Sequence, residues 1–469
     1  LIAAAVLAAL VTLASGCAVG PAYQLPSTPQ PAAYKETATD AQKAAAGWTA
    51  AAPADTLERG PWWQLFGDAQ LNQMADSIEV SNQNVAAAVA AYAQARALVA
   101  EQRASLFPVV ALNGSATRSG GGDNTQTGNQ YRANIGASWE PDVWGKLRAG
   151  ANSATASLQA SAADLAAARL AAQGELAINY FSLRQTDAEK ALLDATTEGY
   201  ERVLQITQNR FDAGIAAKSD LLQAQTQLAS ARIDQITLAR QRATLEHAIA
   251  VLLGQAAGDF SLAPAQWNIV VPDVPTGVPS TLLQRRPDIA AAERRVAAAN
   301  EQIGIARSAY FPSLNLTGSF GYGAASTGGL FNASNNLWSL GLTAAQTLFD
   351  AGATKARVSG AEAARDQAIA AYRQTVLSAF ADVENQLAAT RTLAQQQDLR
   401  RVASEAADQV EVQMLNRYRA GQVSYSDVVT AQTTALTARR ALVQSQADRQ
   451  TTAIALIQSL GGGWHVASQ

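Results

Sequence analysis

The 469-residue chain holds one cysteine, two methionines and two histidines. Cys17, His247 and His465 do not build a typical zinc site, and Met74 with Met414 are too few for a thioether path for copper. No Gly-x-x-x-x-Gly-Lys-Ser/Thr loop occurs: Gly145-Lys146 lacks the other parts, and the glycines from Gly318 to Gly323 alternate along a strand pattern. With no catalytic constellation present, neither enzymatic activity nor a metal or cofactor is expected. Charged residues make up 16% of the chain against the usual quarter, and a net charge of -3 leaves no basic footprint for nucleic acid. Beyond the N-terminus no apolar run reaches the roughly 18 residues of a membrane helix. The Ala-rich stretch from Val85 to Ala100 carries Gln94 and Arg96 and reads as a packed helix.

Proline is the most informative scarcity. None of the 14 prolines falls between 142 and 263 or beyond 312. Proline in a helix interior costs roughly 3 kcal/mol, so these are the stretches where long helices are permitted. They are rich in Ala, Leu, Gln, Arg and Glu. Ile369, Tyr372, Val376, Phe380, Val383 and Leu387 recur at spacings of three and four, a helical seam. Leu165, Ala168, Ala172, Leu176, Asn179 and Leu183 form a weaker version of it. Long helices are expected over 145–209 and 351–416, each followed by a second, over 220–253 and 427–460. A helix of about 60 residues spans roughly 90 Å, beyond a compact domain. Taken alone, these helices also suit a soluble coiled-coil rod.

The chain repeats itself. Arg210-Phe-Asp-Ala-Gly214 through Asp220 recurs as Arg417-Tyr-Arg-Ala-Gly421 through Asp427, and Phe107-Pro108 through Gly114-Ser115 recurs as Phe311-Pro312 through Gly318-Ser319. Offsets of 204 and 207 residues indicate a duplicated unit rather than a solenoid.

Before each long helix the period changes to two. Leu314, Leu316, Gly318, Phe320 and Tyr322 alternate with small or polar residues, as do Trp338, Leu340, Leu342 and Ala344. In the first half Tyr131, Ala133, Ile135, Ala137 and Trp139 do the same, after a partner strand near 108–118 and a Gly- and Asn-rich loop. One such hairpin suits a half-buried soluble sheet. Two at equivalent places in a duplication, with no further strands, match a transmembrane β-barrel. Four strands cannot close a barrel, and an open edge in lipid leaves backbone groups unsatisfied, so several copies are required: eight, twelve or sixteen strands in all.

Leu1 to Leu13 is an apolar run ending in Ala-Ser-Gly before Cys17, a secretory signal pattern. No initiator Met or basic region precedes Leu1, so the precursor is expected to begin upstream. Cys17 resembles a bacterial lipobox cysteine, acylated to become the mature N-terminus, although leucine stands four rather than three places before it. A free thiol or an intermolecular disulfide partner is the other role for a lone exported cysteine. Ala18 in the next place is expected to permit outer-membrane sorting.

The order of Cys17, Gly20-Pro-Ala-Tyr23-Gln-Leu-Pro26, hairpin, Glu140-Pro-Asp-Val-Trp-Gly145, long helix and Arg-Phe/Tyr-x-x-Gly-x(5)-Asp resembles the TolC-like outer-membrane factors, in particular the lipoprotein channels of resistance-nodulation-division efflux pumps. The resemblance implies a mainly α fold with membrane β: a duplicated long-helix α-barrel in the periplasm, with a trimer closing a twelve-stranded β-barrel in the outer membrane. It implies a periplasmic adaptor and an inner-membrane pump as partners, besides the homotrimer and the membrane lipid. The domain expectation is a signal peptide over 1–16 and an acylated extended segment over 17–60. A first repeat follows over 61–263 (hairpin about 108–140, helices 145–253), then a proline-rich linker over 264–287. The second repeat covers 288–469 (hairpin about 312–348, helices 351–460).

The resemblance also places the Gly214 and Gly421 turns at the periplasmic tip, with Tyr418 as the tip tyrosine and Asp427 and Asp220 as pore-facing carboxylates of a gate. Thr430 and Val423 stand where the family often has a further acid and a base. Ser219-Asp220 and Ser426-Asp427 also suit helix N-caps, and Gly214 and Gly421 left-handed C-caps. Arg210 and Arg417 read as packing or helix-end charges. The expected function is passive export of drugs or other small toxic compounds. A type I protein-secretion conduit with the same fold, or a non-conducting periplasmic scaffold lipoprotein, are the alternatives.

Overall fold

A computed structural model describes residues 19–28, 31, 33–36, 61–121, 125–272, 274 and 285–462. The expected signal segment, Cys17 and residues 275–284 of the proline-rich stretch lie outside the described residues. A short 3-10 helix, Trp62–Phe66, opens the helical part, followed by α1 (Ala69–Ser81) and α2 (Gln83–Ala104). A hairpin of β1 (Val109–Gly121) and β2 (Thr125–Trp139) leads into α3 (Lys146–Asp212) and α4 (Lys218–Leu252). The order then recurs as α5 (Pro287–Ser308), β3 (Ser313–Ala324), β4 (Asn336–Ala345), α6 (Ala353–Arg419) and α7 (Tyr425–Ser459).

The two halves match in length as well as in order. Both α3 and α6 have 67 residues, and both α4 and α7 have 35. At 1.5 Å per residue a 67-residue helix rises roughly 100 Å. The seam expected on these helices is buried: Leu176 and Leu183 on α3, and Tyr372, Val376, Phe380, Val383 and Leu387 on α6. Packing divides the chain into two units, residues 1–28, 90–162 and 291–374 in one, and 29–89, 163–290 and 375–469 in the other.

The first unit holds one antiparallel sheet in the order β1-β2-β3-β4. Its register puts the apolar positions opposite one another: Leu112 faces Ile135, Ile135 faces Phe320, and Phe320 faces Trp338. Residues directly opposite share a face, so one side of the sheet is mainly apolar, carrying also Leu316, Leu340 and Leu342, with Arg118, Asn129 and Asn336 on that side only near the hairpin loops. The other side carries Asn113 opposite Asn134, Ser115 opposite Arg132, and Ser319 opposite Ser339. Within the chain the apolar side is bare, Trp338 being 76% and Leu340 73% exposed. Along β1 and β4, the outer strands, no further strand pairs among the described residues.

Phe107-Pro108 and Phe311-Pro312 lie between α2 and β1 and between α5 and β3, where proline ends one element and starts the other. Trp144 stacks on Phe311 with ring centroids 4.7 Å apart, and its indole N–H donates to the Pro312 carbonyl at 2.7 Å. Asp142 accepts from the backbone N–H of Leu147 and of Arg148, each at 2.9 Å, and so caps α3; Asp350 caps α6 through the N–H of Thr354 at 2.7 Å. The Glu140-to-Gly145 motif is therefore a strand-to-helix joint. The extended segment 19–28 lies along the helices, with Asn300 donating to the Pro21 carbonyl at 2.9 Å and the Tyr23 hydroxyl bonded to the buried Glu293 carboxylate.

The second unit is built of helices. Trp62, Phe66, Tyr180 and Phe181 form an aromatic core. Beside it Arg184, 1% exposed, donates to Asp187 at 3.0 Å, to the Ala263 carbonyl at 3.0 Å and to Gln70 at 2.7 Å. Arg242 bonds Asp187 from the other side at 2.7 Å. Every charge in this cluster faces an opposite one, which keeps burial tolerable. Within one chain the expected packing of α2 is seen only in part. Only Val85 and Val99 of its apolar residues are buried, while Val89 and Leu98 stand exposed. Alanine secures the helix without specifying a partner for its surface.

Candidate functional site

The two repeated motifs form matching turns in the second unit. Gly214 (φ 72°) ends α3 and Gly421 (φ 74°) ends α6, both in the left-handed region. The Ile215 N–H donates to the Arg210 carbonyl at 2.8 Å and the Gly214 N–H to Phe211 at 2.8 Å. In the second turn the Gln422 N–H donates to Arg417 at 2.9 Å and the Gly421 N–H to Tyr418 at 2.9 Å. These are paired six-to-one and five-to-two bonds, the Schellman closure of a helix end. The expected left-handed C-caps are present at both glycines.

The helices that follow begin differently. Ser424 precedes α7, and its N–H donates to the Asp427 carboxylate at 3.0 Å while its hydroxyl donates to the same oxygen at 2.6 Å. Asp427 is the third residue of the helix, so this is a capping box. The cap residue is Ser424, not Ser426 as the motif suggested. In the first repeat Ala217 occupies that place and has no side chain to offer, so Asp220 sits in the first turn of α4 without a box. The Ser219 hydroxyl donates to Asp220 at 3.5 Å. Asp427 itself is exposed on the chain surface. Thr430, in place of a second acid, bonds back to the Ser426 carbonyl at 2.9 Å.

Between the turns lies a buried aromatic cluster. Tyr418 (3% exposed) and Tyr425 lie 5.4 Å apart between ring centroids, packed with Val203, Ala224 and Val428. Val423 packs against the same cluster, so it is an apolar contact in the place of the family's base. The Arg210 guanidinium lies 4.9 Å from the Tyr418 ring centroid, a cation–π contact, and donates to the carbonyls of Tyr418 at 3.2 Å and Arg419 at 3.3 Å. Arg210 thus binds the open carbonyl end of α6 and covers its tyrosine, the packing and helix-end role expected of it. Burial pushes the Tyr425 hydroxyl well above the usual tyrosine range, and the neighbouring Tyr418 adds to the shift. The Tyr418 hydroxyl is buried with no hydrogen-bond partner among the described residues.

Sequence reasoning singled out Tyr418 but passed over Tyr425. The signal was available, since the motif Arg417-to-Asp427 has an aromatic residue where the first repeat has Lys218. Among the described residues no group of three or more His, Cys, Asp or Glu could hold a metal, and no helix is long and apolar enough to cross a membrane.

Comparison with known proteins is consistent along the chain. The family model described as outer membrane efflux protein matches residues 74–255 and 278–462. The two matches start 204 residues apart and end 207 apart, the offsets of the sequence repeat. Outer membrane protein OprJ of Pseudomonas aeruginosa is 31% identical over 469 residues, covering 97% of this chain and 95% of the relative. The probable efflux pump outer membrane protein TtgC of Pseudomonas putida is 31% identical over 467 residues, covering 98% and 95%. Among solved structures, the outer-membrane channel OprN superposes with a TM-score of 0.86 at 30% identity, over 96% of this chain and all of that one. The open-state MtrE outer membrane channel of Neisseria gonorrhoeae superposes with a TM-score of 0.82 at 27% identity, over 95% and 98%. The chain belongs to the outer membrane efflux protein family.

Proposed function

We propose that three copies of this chain form a passive conduit through the outer membrane, the exit duct of a tripartite efflux pump. The observation that carries this reading is the sheet: four strands with one face apolar along most of its length and, among the described residues, both outer edges unpaired. In a bilayer, unpaired backbone groups cost several kcal/mol each, so β4 of one copy pairs with β1 of the next until the barrel closes. Three copies give twelve strands. The apolar face meets lipid and the polar face lines the lumen. The long helices continue the duct into the periplasm, where an adaptor and an inner-membrane pump dock, and the energy for transport comes from the pump. Relatives are named for efflux of antibiotics, toluene and solvents and for pyoverdine export. Small exported compounds of this kind are the cargo class proposed here, with selection resting largely in the pump.

The proposed gate is the pair of helix-end turns. Tyr418, Tyr425 and Arg210 hold the ends of the long helices together, and Asp427 from each copy presents a carboxylate toward the narrow axis, with Asp220 beside it. Closure is then a packing equilibrium that pump and adaptor shift toward an open state. Conductance of the full-length protein in planar bilayers tests this, comparing wild type with Asp427→Ala. Larger openings with weaker cation preference in the variant are expected. Unchanged openings would reduce Asp427 to its helix-capping role. No conductance from either protein, with pump and adaptor supplied, would favour the scaffold alternative.

A further inference from the structure

The four strands carry only two charged side chains, Arg118 and Arg132, and no carboxylate. The register separates the two arginines. Arg118 pairs with Asn129 on the side that carries Leu112, at the far end of β1, whereas Arg132 pairs with Ser115 and with Gly323 on the polar side. Arg132 is exposed and has no hydrogen bond or ion pair to any described residue. Gly323 stands opposite it: a Cβ there would meet the Arg132 Cγ at an ordinary contact distance of 3.7 Å, and the Leu337 side chain more closely at 2.8 Å. The neighbouring polar-face groups, Ser115, Asn113, Asn134 and Ser319, are all neutral.

We propose that Arg132 is a specificity-determining residue of the lumen, a ring of guanidinium groups that draws anions into the barrel and holds back cations. The inference rests on the trimeric barrel proposed above, in which three copies of Arg132 converge on one water-filled cross-section with no carboxylate among the strands to offset them. Fixed charge at a pore lining sets which ions and charged solutes concentrate there. The class favoured is the anionic form of an exported compound, such as a carboxylate or sulfonate. This selectivity belongs to the barrel and not to the proposed carboxylate gate, so a solute meets two filters of opposite sign.

The test reads the local potential without needing the gate to open. Ser115→Cys places a thiol directly across the strand pair from Arg132, and Cys17 is the only native cysteine. In intact outer membranes, rates of modification by a sulfonate-bearing and a trimethylammonium-bearing methanethiosulfonate reagent are compared. The same is done after adding Arg132→Gln or Arg132→Lys. A neighbouring unit charge a few ångströms away in water changes local concentration roughly threefold for each sign of reagent, so the anionic-to-cationic rate ratio should fall roughly three- to tenfold in Arg132→Gln. It should stay near wild type in Arg132→Lys, and the difference should shrink in high salt. A ratio unchanged by Arg132→Gln in a reactive Ser115→Cys protein overturns the proposal while leaving the barrel intact. Failure of the barrel reading is a separate result: Ser115→Cys unreactive and Leu112→Cys, on the apolar face, reactive. That outcome overturns both.

Discussion

Gly421 and Asp427 divide the work at the end of the second long helix. Gly421 supplies a positive φ that closes the helix, and Asp427 fixes the start of the next through Ser424. An L-residue in the left-handed region costs about 1–2 kcal/mol, so Gly421→Ala should loosen the turn by about that amount. Hydrogen exchange over 415–428 should quicken by roughly tenfold while the sheet amides stay unchanged. Gly214→Ala should act alike at the first turn, which lacks a capping box and the tyrosine pair. Tyr418 matters for a different reason. It is one of the residues on which the two repeats meet, because Arg210 from the first repeat binds both its ring and its carbonyl.

At the scale of elements, the strands were the most legible part of the chain. Alternation from Leu314 to Tyr322 and from Tyr131 to Trp139 fixed which face each side chain takes, and the register agrees at every pair. A period-2 pattern with one uniform face permits no slip by one residue without exposing the whole set to the wrong side. The helix seams were legible for the same reason, with a period of 3.6. Capping was misread in part, since Ser219 and Ser426 stand next to the aspartates while the true cap position lies three residues before each. Ser424 against Ala217 then decides whether a box forms. What periodicity could not show is how tightly neighbouring backbones pack. A Cβ on Gly321 would lie 2.3 Å from the Ala133 carbonyl oxygen and 2.5 Å from the Asn134 Cα. Gly321→Val should therefore break the pairing of β2 with β3 and abolish the assembled oligomer in outer-membrane fractions. Gly328→Val, in the loop between β3 and β4 with open space around it, should not.

For the whole molecule, the proposed barrel turns the apolar face of the sheet to lipid, which makes the two faces unequal in their tolerance of charge. Leu340→Arg places a guanidinium on the lipid side, where it costs about 2–4 kcal/mol near the bilayer midplane. Ser319→Arg places the same group on the polar side. The yield of assembled oligomer in outer-membrane fractions should fall sharply for the first and stay near wild type for the second. Equal yields would contradict the placement of the faces.

The sequence by itself determined the duplication, the long proline-free helices, the alternating strands and the glycine turns. Each of these is a local property, written in periodicity and in backbone conformations that only certain residues adopt. Only the tertiary structure decided that Arg210 reaches Tyr418, that Arg184 and Asp187 form a buried pair, and that Arg132 stands without a counter-charge across from Ser115. Those depend on which surfaces residues distant in sequence bring together, and no pattern within one segment encodes the partner that another segment supplies.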